Sequence, residues 1–537
     1  MKSSPINTIT ASPTAVIILL LALAIISTIT IVLINFKKRR RPSTPKNGLP
    51  PSPPSWPVIG NLPEITRKKP AAFRWIHQVM KEMNTDICLI RLARTNIVPV
   101  LDPAIAREML KKHDAVFAGR PFSVGSHAIS GGEYMTTVVA PYDDHWRKMR
   151  KVFTSEILCP ARHKWLHDMR VEEADNLVFY VHNHSGTDKT VNLRVVTRHY
   201  CGNVTRKMMF SRRFFGEPTA DGGPGPKEIE HIDAVFGALK YLYSFSISNF
   251  LPFLKVLDLD GQGKVIKEAN KTIRDYQNPI IDERIRQWRS GKKKLVEDLT
   301  DVFITLKDTD GKPLLSRDEI TNQAAEIMIA TVDNPSNLVE WAMAELINQP
   351  ELLAKATAEI DRVVGKDRLV QESDIGSLDY VKACARESFR LHPLSAFNVP
   401  HVAAEDTVVA DYFIPKGSHA LLSRYGLGRN PNVWPNPLKF DPERHLNDEE
   451  VVLTEHDLRF ISFSTGRRGC VAPLLGTCIT TMLLARLIQC FSWAPPAGTE
   501  MIDLREADDE LVLASPLIAS ARPRLAPHMY VPSRSTK

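Results

Sequence analysis

The chain has 537 residues, of which 43% are hydrophobic, 24% charged and 7% aromatic; this balance excludes a disordered, collagenous or disulfide-scaffold protein and allows a large buried core. The formal charge of +8 first points to a polyanionic partner. Six of those charges, Lys2, Lys37, Lys38, Arg39, Arg40 and Arg41, lie in residues 1–41, which hold no Asp or Glu, so the remainder carries +2 and a nucleic-acid partner finds little support.

Ala15 to Ile34 is a run of 20 residues broken only by Ser27, Thr28 and Thr30. At ~1.5 Å per residue it spans the ~30 Å hydrocarbon layer as a helix. The cation block follows the apolar run, which predicts an uncleaved anchor over residues 1–41 with everything downstream on the cytosolic side. Seven scattered cysteines give no disulfide framework, in keeping with a reducing compartment. Residues 42–62 form a hinge: Leu49 to Pro57 holds five prolines in nine residues, favouring stiff, extended chain.

Residues 63–537 read as one mainly helical domain with a small β-sheet region and no internal repeat. Strands are predicted at Ile87–Leu92, Ile97–Leu101 and Thr407–Ala410, and Asp221 to Pro226 is a loop by its glycine and proline density. Trp146 and Arg150 share one helical face at i and i+4. A capping box, Ser316-Arg317-Asp318-Glu319, opens a helix running to about Asn348. Pro335 within it lacks the N–H that would bond the Thr331 carbonyl, so a distortion and an opened groove are expected there. A second helix is predicted over Glu351–Val364, stopped by Gly365. Glu387 and Arg390 stand three apart on one helical face. Cys470 follows a loop rich in small and cationic residues and precedes an apolar helical stretch, Leu474 to Leu487. There, backbone N–H groups and the helix dipole would favour a thiolate able to ligate iron. A buried structural thiol is the alternative that position alone leaves open.

Phe463, Gly466, Arg468 and Cys470 match F-x-x-G-x-R-x-C, which closely resembles the haem-binding loop of cytochromes P-450, with Ala472 where glycine is usual. Glu387-Ser388-Phe389-Arg390, Pro442-Glu443-Arg444-His445 and Trp146-Arg147-Lys148-Met149-Arg150 resemble further signatures of that superfamily in the same order. The resemblance implies the P-450 fold on one N-terminal transmembrane helix, haem b with Cys470 as axial iron ligand, and Phe463 against the haem. It also implies propionate contacts from Trp146, Arg150, Arg468 and His401, and a structural network of Glu387, Arg390 and Arg444.

Ala330-Thr331-Val332-Asp333-Asn334-Pro335-Ser336-Asn337 departs from the usual acid-alcohol pair of these enzymes: Asp333 keeps the acid and Asn334 replaces the alcohol. With Phe397-Asn398-Val399-Pro400-His401 and Ser423-Arg424-Tyr425-Gly426-Leu427-Gly428-Arg429-Asn430, it resembles the plant branch of aldoxime-forming amino-acid N-monooxygenases. That resemblance implies conversion of an L-amino acid, aromatic such as phenylalanine or branched aliphatic, to its aldoxime, with O2 and with NADPH acting through a separate reductase at the endoplasmic reticulum membrane. The products would serve cyanogenic glucosides or other nitrogenous defence compounds. Asp333, Asn334 and Ser336 are then the expected catalytic groups, and Phe397, Asn398, Thr331 and Gly131 the expected pocket. A conventional carbon hydroxylase and a reductase-independent haem-thiolate isomerase or dehydratase are the alternatives.

Three N-x-S/T sequons, at Asn183, Asn203 and Asn270, would be glycosylated only in a lumenal domain. Glycosidase treatment of the native protein is expected to leave its mass unchanged; a downward shift would overturn the cytosolic orientation.

Overall fold

The computed structural model describes residues 47–531 apart from 69–70, 131, 133–135, 187–188, 243 and 447–449. The proposed anchor and its cation block lie outside the described residues, as does Gly131. The proline-rich segment is docked, not free, from Pro51 onward: its carbonyl accepts from Leu89 N at 2.8 Å, and Asn61 Nδ2 donates to Pro54 O at 2.8 Å.

Helices dominate. Those that position the site are α1 (Asp144–Val152), α2 (His167–Asn183), α3 (Leu193–Phe210), α4 (Gln262–Arg289), α5 (Arg317–Asn348), α6 (Pro350–Val363), α7 (Asp379–Leu391) and α8 (Pro473–Cys490). The 32-residue α5, ~48 Å long, crosses the molecule and packs on α3, α4, α7 and α8. It is buried on nearly all sides, so its apolar residues form no single stripe. Its start is the capping box expected, with Ser316 Oγ accepting from Glu319 N at 3.1 Å and Glu319 Oε2 from Ser316 N at 2.7 Å. Helix α8 is long and apolar enough to cross a membrane, but it lies mostly buried in the core.

The strands are short: β1 (Ile90–Leu92), β2 (Thr95–Val100), β3 (Val191–Asn192), β4 (His401–Val402), β5 (Thr407–Val409), β6 (Tyr412–Ile414), β7 (His419–Leu422), β8 (Phe491–Ala494) and β9 (Ile518–Pro523). They form a four-stranded sheet β1-β2-β7-β4, in which β2 and β7 run parallel, a three-stranded sheet β3-β9-β8, and a hairpin β5-β6. Ile87 makes only an isolated bridge to Val100, so β1 starts later than its sequence pattern indicates. Similarly, the glycine-rich loop ends one residue early because Pro226 is the first residue of a helix, where a missing N–H costs nothing.

Two expectations about α5 and α7 meet different fates. Helix α5 continues through Pro335, where a distortion was expected. Side chains take up nearby carbonyls: Thr331 Oγ1 donates to Ile327 O at 2.6 Å, Asn334 Nδ2 to Ala330 O at 3.2 Å and Ser336 Oγ to Val332 O at 2.7 Å. Packing on its neighbours does the rest. The α7 network forms as expected and is larger. Glu387 accepts from Arg390 Nε and Nη2, both at 2.7 Å, from Arg444 Nε at 3.0 Å and from Asp441 N at 2.9 Å, and pairs with His445 Nε2 at 2.8 Å. Burial alone would raise the carboxyl, but bonds from Arg390 and His445 outweigh it and hold Glu387 below the usual carboxylate range.

The sequon amides are engaged. Asn203 is 1% exposed, and Asn183 and Asn270 donate to Asp221 O and Ala128 O. Because removing one member of a buried ion pair strands the others, Glu387→Ala is expected to cost ~3–5 kcal/mol. A melting curve unchanged from wild type would show the network to be dispensable.

Candidate functional site

A cavity of about 970 Å³ opens between α5, α8, α1 and the loops around 395–400 and 462–472. It stands at the upper end of the ~300–1,000 Å³ usual for small-molecule sites. Phe153, Phe389, Phe463, Leu475 and Ile479 contribute an apolar lining, and Cys470 lies in the wall.

The cysteine loop is built to present that sulfur. Phe463 O accepts from Cys470 N at 2.8 Å and Gly466 O from Gly469 N at 3.0 Å, closing a tight turn. Gly466 has φ +72, and a Cβ there would strike Leu110 O, so both conformation and space demand glycine. Gly476 on α8 leaves room for the Phe463 ring, which a Cβ would approach to 2.8 Å. Cys470 Sγ accepts from Ala472 N at 3.3 Å. One of the backbone N–H groups expected to favour a thiolate is therefore in place.

The other expected cofactor residues gather beside this loop, with one exception. Asp143 caps α1 through Trp146 N at 2.9 Å, placing Trp146 and Arg150 in the cavity wall. Arg150 Nη1 donates to Gly469 O at 2.7 Å. The Arg468 guanidinium lies 4.6 Å from the Trp146 ring centroid and donates to the carbonyls of Ala118 and Ala140, each at 2.7 Å. His401 does not line the cavity. It is 2% exposed and pairs with Phe117 O at 2.7 Å, and burial, aided by Arg120 and Arg468, holds it well below the usual histidine range and therefore neutral. A neutral imidazole facing a carbonyl is a structural group, so the propionate role expected of it is not supported. The sulfur, the apolar walls and the Arg150-Trp146-Arg468 group fit a haem with its thiolate ligand.

On α5, Thr331, Asp333 and Asn334 line the cavity and Ser336 does not. Ser336 is 1% exposed and spends its hydroxyl on its own helix, so it offers no replacement for the missing alcohol. Thr331 Oγ1 shares a 2.7 Å bond with Thr205 Oγ1, tying α5 to α3. Asp333 Oδ1 accepts from Asn337 Nδ2 at 2.5 Å. Burial raises Asp333 to about 6, Glu510 adds to this, and Arg198 and Arg424 oppose it. Phe397 and Asn398 are in the wall as expected. One face of the Phe397 ring is already stacked on His77, 5.4 Å between centroids at 13°. That leaves less of it for a substrate ring than its position in the sequence indicates.

Two groups escaped the sequence analysis. Glu326 lies seven residues before Asp333 on the same helical face, accepts from Thr137 N and Val138 N, each at 2.6 Å, and is raised to about 7 by burial. Its spacing from Asp333 was the available signal. Arg424 reaches the cavity from a five-residue helix, Arg424–Gly428, and its place in the Ser423–Asn430 string was the available signal.

The sequence profile of the Cytochrome P450 family matches residues 50–519. Valine N-monooxygenase 1 of Manihot esculenta is 66% identical over 529 residues, covering 98% of this chain and 96% of that protein. Tyrosine N-monooxygenase of Sorghum bicolor is 57% identical, covering 90% and 87%, and phenylalanine N-monooxygenase of Arabidopsis thaliana 54%, covering 90% and 92%. Replacing Cys470 by Ser is expected to abolish the carbon monoxide difference band of the reduced protein while leaving its secondary structure intact by circular dichroism. A persisting band would refute the ligand assignment.

Proposed function

The chain belongs to the cytochrome P450 family, and on that premise we propose that it oxidises the nitrogen of an L-amino acid to give the corresponding aldoxime. Two rounds each consume O2 and NADPH and release water; loss of carbon dioxide and a further water then leaves the oxime. Haem b would supply the reductive activation of O2, ligated by Cys470. The residues of the chain bind, orient and neutralise. Apolar walls take the side chain and keep bulk water from the reacting nitrogen, while Asp333 faces the cavity as the carboxylate able to hold an ammonium or exchange its proton. Asn334 has its amide N–H committed to Ala330 O, leaving Asp333 the stronger candidate for proton handling.

The observation that carries this reading is a pair of ionisable groups in the cavity wall, Asp333 and Arg424, that form no ion pair among the described residues. A hydrocarbon or terpenoid substrate would leave them without partners, whereas an amino acid matches both. The naming of the similar proteins as amino-acid N-monooxygenases points the same way. A branched aliphatic amino acid is favoured over an aromatic one, because Phe397 is occupied by His77 and because the valine enzyme is the more similar to this chain at 66% against 54% for the phenylalanine enzyme. We further propose that residues 1–41 anchor the protein in the endoplasmic reticulum membrane, that 42–62 orient the cytosolic body of 63–537, and that a separate NADPH-dependent reductase docks on the face nearest Cys470.

Full-length protein reconstituted with reductase and NADPH is expected to form oxime from valine or isoleucine, read by mass spectrometry. Hydroxylation of a fatty acid or terpenoid with no oxime from any amino acid would sink the reading and favour a carbon hydroxylase. Turnover should rise as pH increases through about 6, the region in which Asp333 ionises and can attract the substrate ammonium. Asp333→Asn should lower turnover roughly 10²-fold and flatten that limb. A variant with the wild-type pH profile would remove Asp333 from the mechanism.

A further inference from the structure

An amino acid entering this cavity brings a carboxylate, and a carboxylate cannot be buried without a partner. Six cations line the cavity: Arg120, Arg150, Arg198, Lys240, Arg424 and Arg468. Several have their donors in use. Arg120 donates to the carbonyls of Val138, Val399 and Pro400, Arg150 to Gly469 O, and Arg468 to Ala118 O and Ala140 O. Lys240 pairs with Asp509 at 2.6 Å. Arg198 lays its guanidinium flat on the Phe236 ring, 3.7 Å from the centroid.

Arg198 and Arg424 each keep a buried Nε with no hydrogen-bond partner, but Phe236 covers the guanidinium of Arg198, whereas that of Arg424 makes only a single long contact, 3.4 Å from Nη2 to Asn398 Oδ1. Among the described residues no carboxylate lies within ion-pair distance of it. The fork is held at the start of a helix whose cap, Ser423, is itself fixed by Gly426 N at 2.7 Å and by His77 Nε2 at 2.6 Å. Asp333 is the mirror case: it bonds Asn337 and forms no ion pair among the described residues. The two are near enough that each one's charge acts on the other's ionisation. A guanidinium with vacant donors and a carboxylate in the wall of the same cavity, neither in an ion pair among the described residues, together complement a zwitterion.

We propose that Arg424 binds the α-carboxylate of the amino-acid substrate while Asp333 faces its α-ammonium, so that the pair fixes the reacting nitrogen toward the Cys470 side of the cavity. The inference rests on the amino-acid reading above. The carboxylate Arg424 takes could instead be a haem propionate. The substrate is favoured because Asp333, in the wall of the same cavity, is left without an ion pair among the described residues, and because Arg150, Arg468 and Trp146 already stand together beside the cysteine loop.

The test is equilibrium dialysis of the full-length holoenzyme with labelled L-valine and with its primary amide, which keeps the ammonium and side chain and lacks the anionic carboxylate. Wild type should prefer the acid. Arg424→Gln should weaken the acid by roughly 10–100-fold, leave the amide unchanged and so erase the preference, with haem content as in wild type. Arg424→Lys, which keeps the charge and loses the fork, should fall between. An Arg424→Gln protein that keeps the acid preference overturns the proposal, whether it retains haem or, by losing it, shows the propionate to be the partner. Loss of the preference in Arg198→Gln but not in Arg424→Gln assigns the carboxylate to Arg198 and overturns it equally. Binding of neither acid nor amide by wild type, with oxime absent for every amino acid, would instead bring down the amino-acid reading on which the proposal stands.

Discussion

The buried carboxylate of Glu387 organises the proximal half of this protein. Two charges removed from water are costly, and that cost is met only if every donor and acceptor finds a partner. Here Arg390 meets it by reaching past Glu387 to the carbonyls of Gly428 at 2.5 Å, Pro437 at 2.7 Å and Lys439 at 3.1 Å. Gly428 is required at this approach, since a Cβ would overlap Arg390 O. One helix is thereby tied to a segment 38 to 49 residues on, and the tie continues: Trp434 lies against both Arg390 and Arg444 and donates Nε1 to Arg459 O at 3.2 Å. From Arg459 the chain runs directly into Phe463 and Cys470. A carboxylate outside the cavity is thus linked, through Arg390 and Trp434, to the segment that leads into the cysteine loop.

The distal wall is held by a different device. Proline in mid-helix removes one bond and crowds the preceding turn, at a cost of ~3 kcal/mol in an isolated helix. Helix α5 absorbs it because its neighbours, Thr331, Asn334 and Ser336, turn their polar groups back onto the helix and because α3, α4, α7 and α8 enclose it. The same residues thereby lose their capacity for chemistry. A serine that donates to Val332 O has no proton to offer the cavity, and the helix keeps its shape at the expense of an alcohol at the site. The carboxylates that face the cavity from this helix are Glu326 and Asp333, two turns apart.

Legibility in the sequence followed the range of the interactions. The capping box of α5, the Gly365 stop, where φ is +83, and the face shared by Glu387 and Arg390 are local, and each was readable from spacing. The cysteine loop was readable because its glycines answer conformational demands within a few residues. Features set by partners distant in sequence were not: His401 reads as a cation facing a propionate, yet Phe117 O, 284 residues away, makes it a buried neutral ring. The effect of Pro335 was misjudged for the same reason, since the sequence around a proline carries the penalty but not the packing that opposes it.

The cavity's charges can be understood together in these terms. Burial raises Asp333 to about 6 and lowers Arg424 to about 10, so each is pushed toward its neutral form, yet each is partly sustained in its charged form by the other. Such a pair is poorly satisfied when left to itself, because no direct salt bridge closes between them. Closing it would need the helix bearing Asp333 and the turn bearing Arg424 to approach, and both are fixed from outside, α5 by its enclosing helices and the turn by Ser423 and the Arg390–Gly428 contact. A zwitterion of suitable length can insert between the two without moving either mount. It presents an ammonium to the carboxylate and a carboxylate to the guanidinium, and both groups regain in the complex the partners that burial took from them. On the proposed reading, scaffolding that keeps two charges from meeting would make the cavity selective for a substrate carrying both.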